Sequence, residues 1–268
     1  MKISVDQLAV FVTSHCTLNC RLCQSCIPRF REVGISFDAQ LSALTEQLKR
    51  FFESVLYRVG SLQITGGEPL CWKPLPELLQ HLKPFSARFD TLRIITNGTL
   101  LPSQELLAAV AKAGYPIEFY VDYYGALSSQ HDALIDTLAR SGIPYIDTQY
   151  TSREQHGGGW IDFGDLSRKA GGAAEAENRH KNCRFRHGCI GLYDGAVYAC
   201  SVSAMLYMLR GIECDRLYAP EDAAAAGKIA EWTAGKSPFE ACAYCAGFDI
   251  ACSKRYPAAE QLPVKERS

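Results

Sequence analysis

Between residues 8 and 149 short apolar runs alternate with stretches of helical periodicity, and this alternation restricts the fold more than any other feature of the chain. The runs at 8–13 (LAVFVT), 61–65 (SLQIT), 91–96 (TLRIIT), 116–122 (PIEFYVD) and 143–149 (IPYIDTQ) have the length and side-chain type of buried strands. The segments between them read as helices. One runs from an Asp38 N-cap to about Tyr57, with Leu41, Leu44, Leu48, Phe51, Phe52 and Val55 on one face. Others cover 74–82, 103–112, where Gly114 ends the turn, and 128–140. Such alternation builds βαβ units around a parallel sheet. Five strands and four helices are too few to close an eight-stranded barrel, so an α/β fold with an open, partial (β/α) barrel is predicted.

The character changes after Thr151. Residues 156–159 (HGGG) and 170–177 are small and read as flexible, with one anchored patch at 160–163 (WIDF). Asp194-Gly195 has hairpin-turn chemistry. Pro220-Glu221 opens an alanine-rich helix ending near Gly235, and the last residues read as a polar tail. The predicted organisation is a core over 1–152, a bridge over 153–182, a small C-terminal domain over 183–255 and a tail over 256–268.

Charge excludes some partners. Lys and Arg number 28 against 29 Asp and Glu, for a net charge of −1, so no general attraction for nucleic acid or an anionic membrane is expected. No apolar run is long enough to span a bilayer and no signal-peptide core opens the chain, so a cytoplasmic location is expected. Against that setting the outlier is the count of 12 cysteines, which in a reducing compartment points to metal or redox chemistry.

Cys16, Cys20 and Cys23 follow the first predicted strand with x3-x2 spacing, at the strand end where (β/α) active sites lie. Thiolates so close in sequence suit an iron–sulfur cluster or zinc, and three of them leave a position open. Cys26 could supply a fourth and close the site. Thr65-Gly66-Gly67-Glu68-Pro69 follows the second strand, and Thr96-Asn97-Gly98 the third. With these three motifs in order, residues 5–150 resemble the radical S-adenosylmethionine (SAM) superfamily. Leu22 stands where such chains often carry an aromatic residue. The resemblance implies that Cys16, Cys20 and Cys23 hold three irons of a [4Fe-4S] cluster whose fourth iron binds SAM. It also implies that Gly66, Gly67, Glu68 and Pro69 meet the SAM amine, with Asn97 on the polar parts of the cofactor.

The pattern C-x11-G-x4-C over Cys183, Gly195 and Cys200, followed by Cys242-x2-Cys245, resembles the twitch domain, a short form of the SPASM domain. It implies one auxiliary [4Fe-4S] cluster on Cys183, Cys200, Cys242 and Cys245. The same four could hold zinc, Cys189 could replace Cys183, and Cys252 could displace one of the last pair. A short core with one twitch-like domain is similar in architecture to 2-deoxy-scyllo-inosamine dehydrogenase. That likeness implies a radical SAM oxidoreductase acting on a sugar or cyclitol alcohol, with flavodoxin or ferredoxin as reductant. Peptide crosslinking or epimerisation, and a non-catalytic two-cluster electron carrier, are the alternatives. Arg153, Asp122 and Tyr123, at the ends of the fourth and fifth strands, are the candidate catalytic side chains.

Overall fold

The computed structural model describes residues 2–151, 153–218, 223–249 and 251–263. Strand β1 (Ile3–Phe11) leads through a short helix α1 (Ile27–Glu32) into α2 (Leu41–Ser54). Three further units follow: β2 (Leu56–Thr65) with α3 (Leu75–Leu82), β3 (Phe89–Thr96) with α4 (Gln104–Ala113), and β4 (Ile117–Tyr123) with α5 (His131–Arg140). Strand β5 (Tyr145–Gln149) ends this part. All four neighbouring pairs from β1 to β5 are parallel, as the alternation requires. Five strands and four crossover helices make an open α/β sheet of the partial-barrel kind, with α1 as an addition.

Strand alternation gives the sheet two unlike faces. Leu8, Val10, Leu62, Ile64, Leu92, Ile94, Phe119 and Val121 are fully buried against the apolar stripes of the helices, among them Leu48, Phe51, Leu78 and Leu134. On the opposite face Arg93 bonds Glu118 across the β3–β4 pair and its guanidinium lies 5.2 Å from the Tyr120 ring. The helix caps are local and legible. The Ser103 hydroxyl accepts from the Leu106 N–H and Gly114 takes a left-handed conformation that closes α4. Asp38 departs from expectation: α2 starts from Gln40, and Asp38 instead accepts from the Thr13 hydroxyl, tying the end of β1 to the approach to α2.

Beyond β5 the chain is more ordered than its small residues imply. Residues 170–177, read as flexible, lie largely in helix α6 (Gly172–Lys181), whose Ala and Glu residues favour helix but carry no apolar stripe. Strands β6 (Cys189–Tyr193) and β7 (Ala196–Tyr198) form the expected hairpin, with both turn residues at positive φ (Asp194 39°, Gly195 75°). Helix α7 (Ser201–Arg210), strand β8 (Arg216–Leu217) and helix α8 (Ala223–Thr233) complete the described elements. The predicted helix opening at Pro220-Glu221 lies outside the described residues, and α8 begins just after it.

Two long-range placements were not foreseen. Strand β6 pairs parallel with β1, from Gln7↔Cys189 to Val10↔Leu192, so the C-terminal hairpin extends the core sheet in the order β5-β4-β3-β2-β1-β6-β7-β8. That pairing satisfies the backbone groups of the free edge of β1. The expected polar tail also has a docked part: Ala259 is 1% exposed, and backbone bridges join Trp160 to Tyr256 and Cys20 to Gln261. Among the described residues no helix is long and apolar enough to cross a membrane.

Candidate functional site

The three motifs meet at the C-terminal ends of β1, β2 and β3. The Asn97 side-chain amide donates to the Cys16 sulfur at 3.6 Å, and the Asn97 backbone N–H donates to the Glu68 carboxylate at 2.8 Å. One chain of hydrogen bonds therefore joins the cysteine loop, the GGE turn and the TNG turn. Glu68 is fully buried, accepts also from the Leu70 N–H at 3.1 Å, and is raised to about 7 by that burial. The expected role of its carboxylate toward an amine shares the group with this bracing role between β2 and β3.

The glycines act at the same junction. A Cβ on Gly66 would come within 2.4 Å of the Thr13 carbonyl oxygen, and one on Gly67 within 2.2 Å of the His15 carbonyl oxygen and 2.9 Å of the Cys16 Cβ. Only residues without a Cβ let the turn after β2 seat against the loop after β1. The Gly67 N–H donates to Thr13 and the Glu68 N–H to His15, which fixes that seat.

The donor set of the loop suits a thiolate-bound group. The Cys16 sulfur accepts from the Leu18 N–H at 3.5 Å, and the Cys20 sulfur from the Gln261 amide at 3.2 Å. Burial above all, with a smaller push from the neighbouring Cys23, raises the Cys16 and Cys20 thiols to about 12. Three such thiols would ionise together only with a cation among them, which is what a metal cluster supplies. Among the described residues no three His, Cys, Asp or Glu side chains converge on a single ion. The irons of a cluster occupy separate corners, so its cysteines need not converge on one point.

Arg31, which sequence reading missed, clamps this loop. From α1 its guanidinium donates to the carbonyls of Cys16 and Leu18 and, at 2.9 Å, to the Asn19 side chain. Pro28 at the first turn of α1 was the available signal for that helix. Leu18, Cys20 and Ala259 pack with Tyr124, Leu127 and Trp160 in a small separate core, which holds Trp160 of the WIDF patch beside the cysteine loop.

The three candidate catalytic side chains are not brought together. Asp122 accepts from the Thr148 hydroxyl at 2.9 Å, and burial raises it to about 6. Tyr123, the next residue of the strand, faces the other way and packs its ring 4.0 Å from the His131 ring. Arg153 is exposed beyond β5. Strand alternation therefore puts Asp122 on the same face of β4 as Tyr120 and turns Tyr123 to the other face.

A second set of cysteines lines one small cavity of about 30 Å³: Cys183, Cys200, Cys242 and Cys245, with Phe163, Phe185 and Phe239 among its walls. Here too sulfurs accept backbone N–H groups. Phe185 donates to Cys183 at 3.4 Å and Gly247 to Cys245 at 3.2 Å, while Cys200 caps the N-terminus of α7 in a capping box with Ser203. Such donors favour the thiolate. Arg179 also lines the cavity, and its Nη2 is buried without a hydrogen-bond partner. Cys189 is elsewhere, its thiol donating to the Gln7 side chain at 3.1 Å, and Cys252 is exposed.

Residues 10–126 match the model of the radical SAM superfamily. The matched span includes all three strand-end motifs. Curated relatives bear the name GTP 3′,8-cyclase. That of Syntrophomonas wolfei is 26% identical over 183 residues, covering 62% of this chain and 52% of the relative. A probable GTP 3′,8-cyclase of Methanococcus aeolicus is 26% identical over 177 residues, covering 62% and 57%. That of Chlorobaculum tepidum is 32% identical over 113 residues, covering 41% and 31%. The chain thus spans about half the length of the first two. These names differ from the alcohol dehydrogenase to which the architecture pointed. Among solved structures, native anSMEcpe with bound AdoMet is similar at TM-score 0.42 and 14% identity, covering 53% of this chain and 43% of that one. HydG, a maturase of the [FeFe]-hydrogenase, is similar at 0.37 and 13%, covering 55% and 36%.

Proposed function

We propose that this chain is a radical SAM enzyme that removes hydrogen from a sugar carbon of a small molecule. The observation that carries the reading is the hydrogen-bonded chain Cys16–Asn97–Glu68, which couples all three motifs at one strand-end junction. In this reading Cys16, Cys20 and Cys23 hold three irons of a [4Fe-4S] cluster, and the fourth iron is left for SAM. When bound and reduced, that pair supplies a 5′-deoxyadenosyl radical at the mouth of the sheet. Gly66, Gly67 and Pro69 shape the SAM-binding turn, Glu68 accepts from the SAM amine and holds Asn97, and Asn97 orients Cys16. Asp122 meets substrate or SAM hydroxyls from the inner face of β4.

Cys183, Cys200, Cys242 and Cys245 hold a second [4Fe-4S] cluster in a twitch-like unit. Their shared cavity, its phenylalanine walls and the N–H groups donated to sulfur support this assignment. Four cysteine ligands leave no iron open, so this cluster serves electron transfer. Flavodoxin or ferredoxin is the reductant.

The relatives' name locates a ring closure at the 3′ carbon of GTP, a sugar carbon, and a nucleotide is therefore the first substrate class. Oxidation of a sugar or cyclitol alcohol is the second, favoured by the fully ligated auxiliary site. The test is anaerobic incubation of the reconstituted full chain with SAM, reductant and deuterated substrate. Deuterium passing from C3′ of GTP into 5′-deoxyadenosine supports the nucleotide reading. Deuterium passing from the carbinol carbon of an aminocyclitol, with ketone formed, supports the alcohol reading. A chain that holds both clusters yet never cleaves SAM is an electron carrier, and the enzyme reading fails.

A further inference from the structure

Residues 256–263 form a strap that nothing in the motif pattern called for, and it crosses the cysteine loop. The Leu262 N–H donates to the Asn19 carbonyl and the Arg21 N–H to the Glu260 carbonyl, each at 2.8 Å. Arg21 and Glu260 also pair through their side chains at 2.7 Å. Ala259 is wedged against Leu18 and Cys20 at a φ of 55°, a left-handed conformation that a non-glycine residue keeps only where surrounding contacts impose it.

The strap presents one polar group to the site. The Gln261 Nε2 donates to the Cys20 sulfur at 3.2 Å and to the Ala259 carbonyl at 2.7 Å, and its Oε1 accepts from the Asn19 N–H at 2.8 Å. The three partners settle which end of the amide faces the sulfur. Turned over, the oxygen would face two acceptors and the nitrogen would face a donor. Cys20 itself is buried, with 7% of its surface exposed, so this contact reaches a sulfur that solvent scarcely touches.

We propose that Gln261 is a positioning residue of the radical SAM cluster, whose amide N–H to the Cys20 thiolate favours the reduced, more negative state. Hydrogen bonds to cluster sulfurs are among the levers that set reduction potential. The added negative charge of the reduced state falls partly on those sulfurs, where a fixed donor opposes less charge in the oxidised state. The proposal rests on reading the Cys16–Cys20–Cys23 loop as a cluster site.

The experiment is an EPR-monitored redox titration of the anaerobically reconstituted full chain, following the signal that changes when SAM is added. Gln261→Leu removes the donor at similar size, and its reduction equilibrium constant is expected to fall about tenfold, or ~59 mV for a one-electron couple. Gln261→Glu, which places a carboxylate there, is expected to fall further. Glu260→Ala weakens the strap but keeps the amide and is expected to stay within about twofold of the parent, since an exposed ion pair contributes little. The proposal is overturned if Gln261→Leu is unchanged, or if Glu260→Ala shifts the titration as much. Should Gln261→Leu fail to hold iron, Gln261→Asn, which keeps the amide but lacks its reach, takes its place with the same expectation. If Cys20→Ala keeps the SAM-responsive signal, the cluster reading itself fails, which is a separate result.

Discussion

The two cysteine regions solve different problems with the same side chain. The loop at Cys16–Cys23 lies at strand ends, brings Cys16 and Cys20 under side-chain amides from Asn97 and Gln261, and is clamped by Arg31. The C-terminal cavity encloses four thiols among phenylalanine rings and backbone N–H groups. A site with three protein ligands and adjustable polar neighbours can admit a further molecule. A site with four ligands and apolar walls excludes one. In the proposed reading, the first is the place for chemistry and the second the place for electrons.

The sharpest way to break that comparison is to remove one ligand from each side. Cys16→Ala, Cys20→Ala or Cys23→Ala is expected to abolish 5′-deoxyadenosine formation and remove about four of about eight irons per chain. Cys242→Ala or Cys245→Ala is expected to remove about four irons as well but to leave reductive SAM cleavage measurable while substrate turnover is lost. Iron and sulfide counting with product analysis reads both. Equal loss of SAM cleavage from the two sets would erase the distinction.

Gly67→Ala tests the junction that shapes the first site. Its Cβ would meet the His15 carbonyl oxygen at 2.2 Å, so a destabilisation of about 3 kcal/mol is expected in urea unfolding, with the cysteine loop displaced.

Asp122 tests the inner face through pH. Burial raises its carboxyl from the usual 3.8 to about 6 in the folded chain. Between those values the folded state keeps a proton that the unfolded chain has released, so stability falls as pH rises from about 3.8 to 6 and levels off above. Asp122→Asn is expected to remove this dependence and to be more stable than the parent near neutral pH by about 2 kcal/mol, a figure discounted for partial solvent screening. Equal stabilities of the two chains at pH 4.5 and pH 7.5 would sink the assignment.

The smallest effects are expected at the cysteines outside both sites. Cys189→Ala and Cys252→Ala are expected to keep every iron and to change stability by less than about 1 kcal/mol, because one thiol donates to Gln7 and the other is exposed. Loss of iron from either would redraw the auxiliary ligand set.

Much of the core was legible because its signals are local. Alternating apolar residues mark the strands, Ser103 and Gly114 bound a helix, and the three motifs follow three successive strands. Helix α6 was missed because Ala and Glu make a helix without an apolar stripe, and α1 because its six residues are too few for a period to appear. The split of Asp122 from Tyr123 was present in the period of two along β4 but needed the neighbouring strand to say which face is inner.

The sequence by itself determined the order of the elements, the three strand-end motifs and the spacing of the cysteines, since each is set within a window of a few to about twenty residues. Only the tertiary structure decided that β6 closes the free edge of β1, that four distant thiols share one cavity, and that Gln261 reaches Cys20 from 241 residues away. Those arrangements depend on which buried edge and which unsatisfied polar group find a partner once the chain has collapsed, and no local pattern encodes that choice.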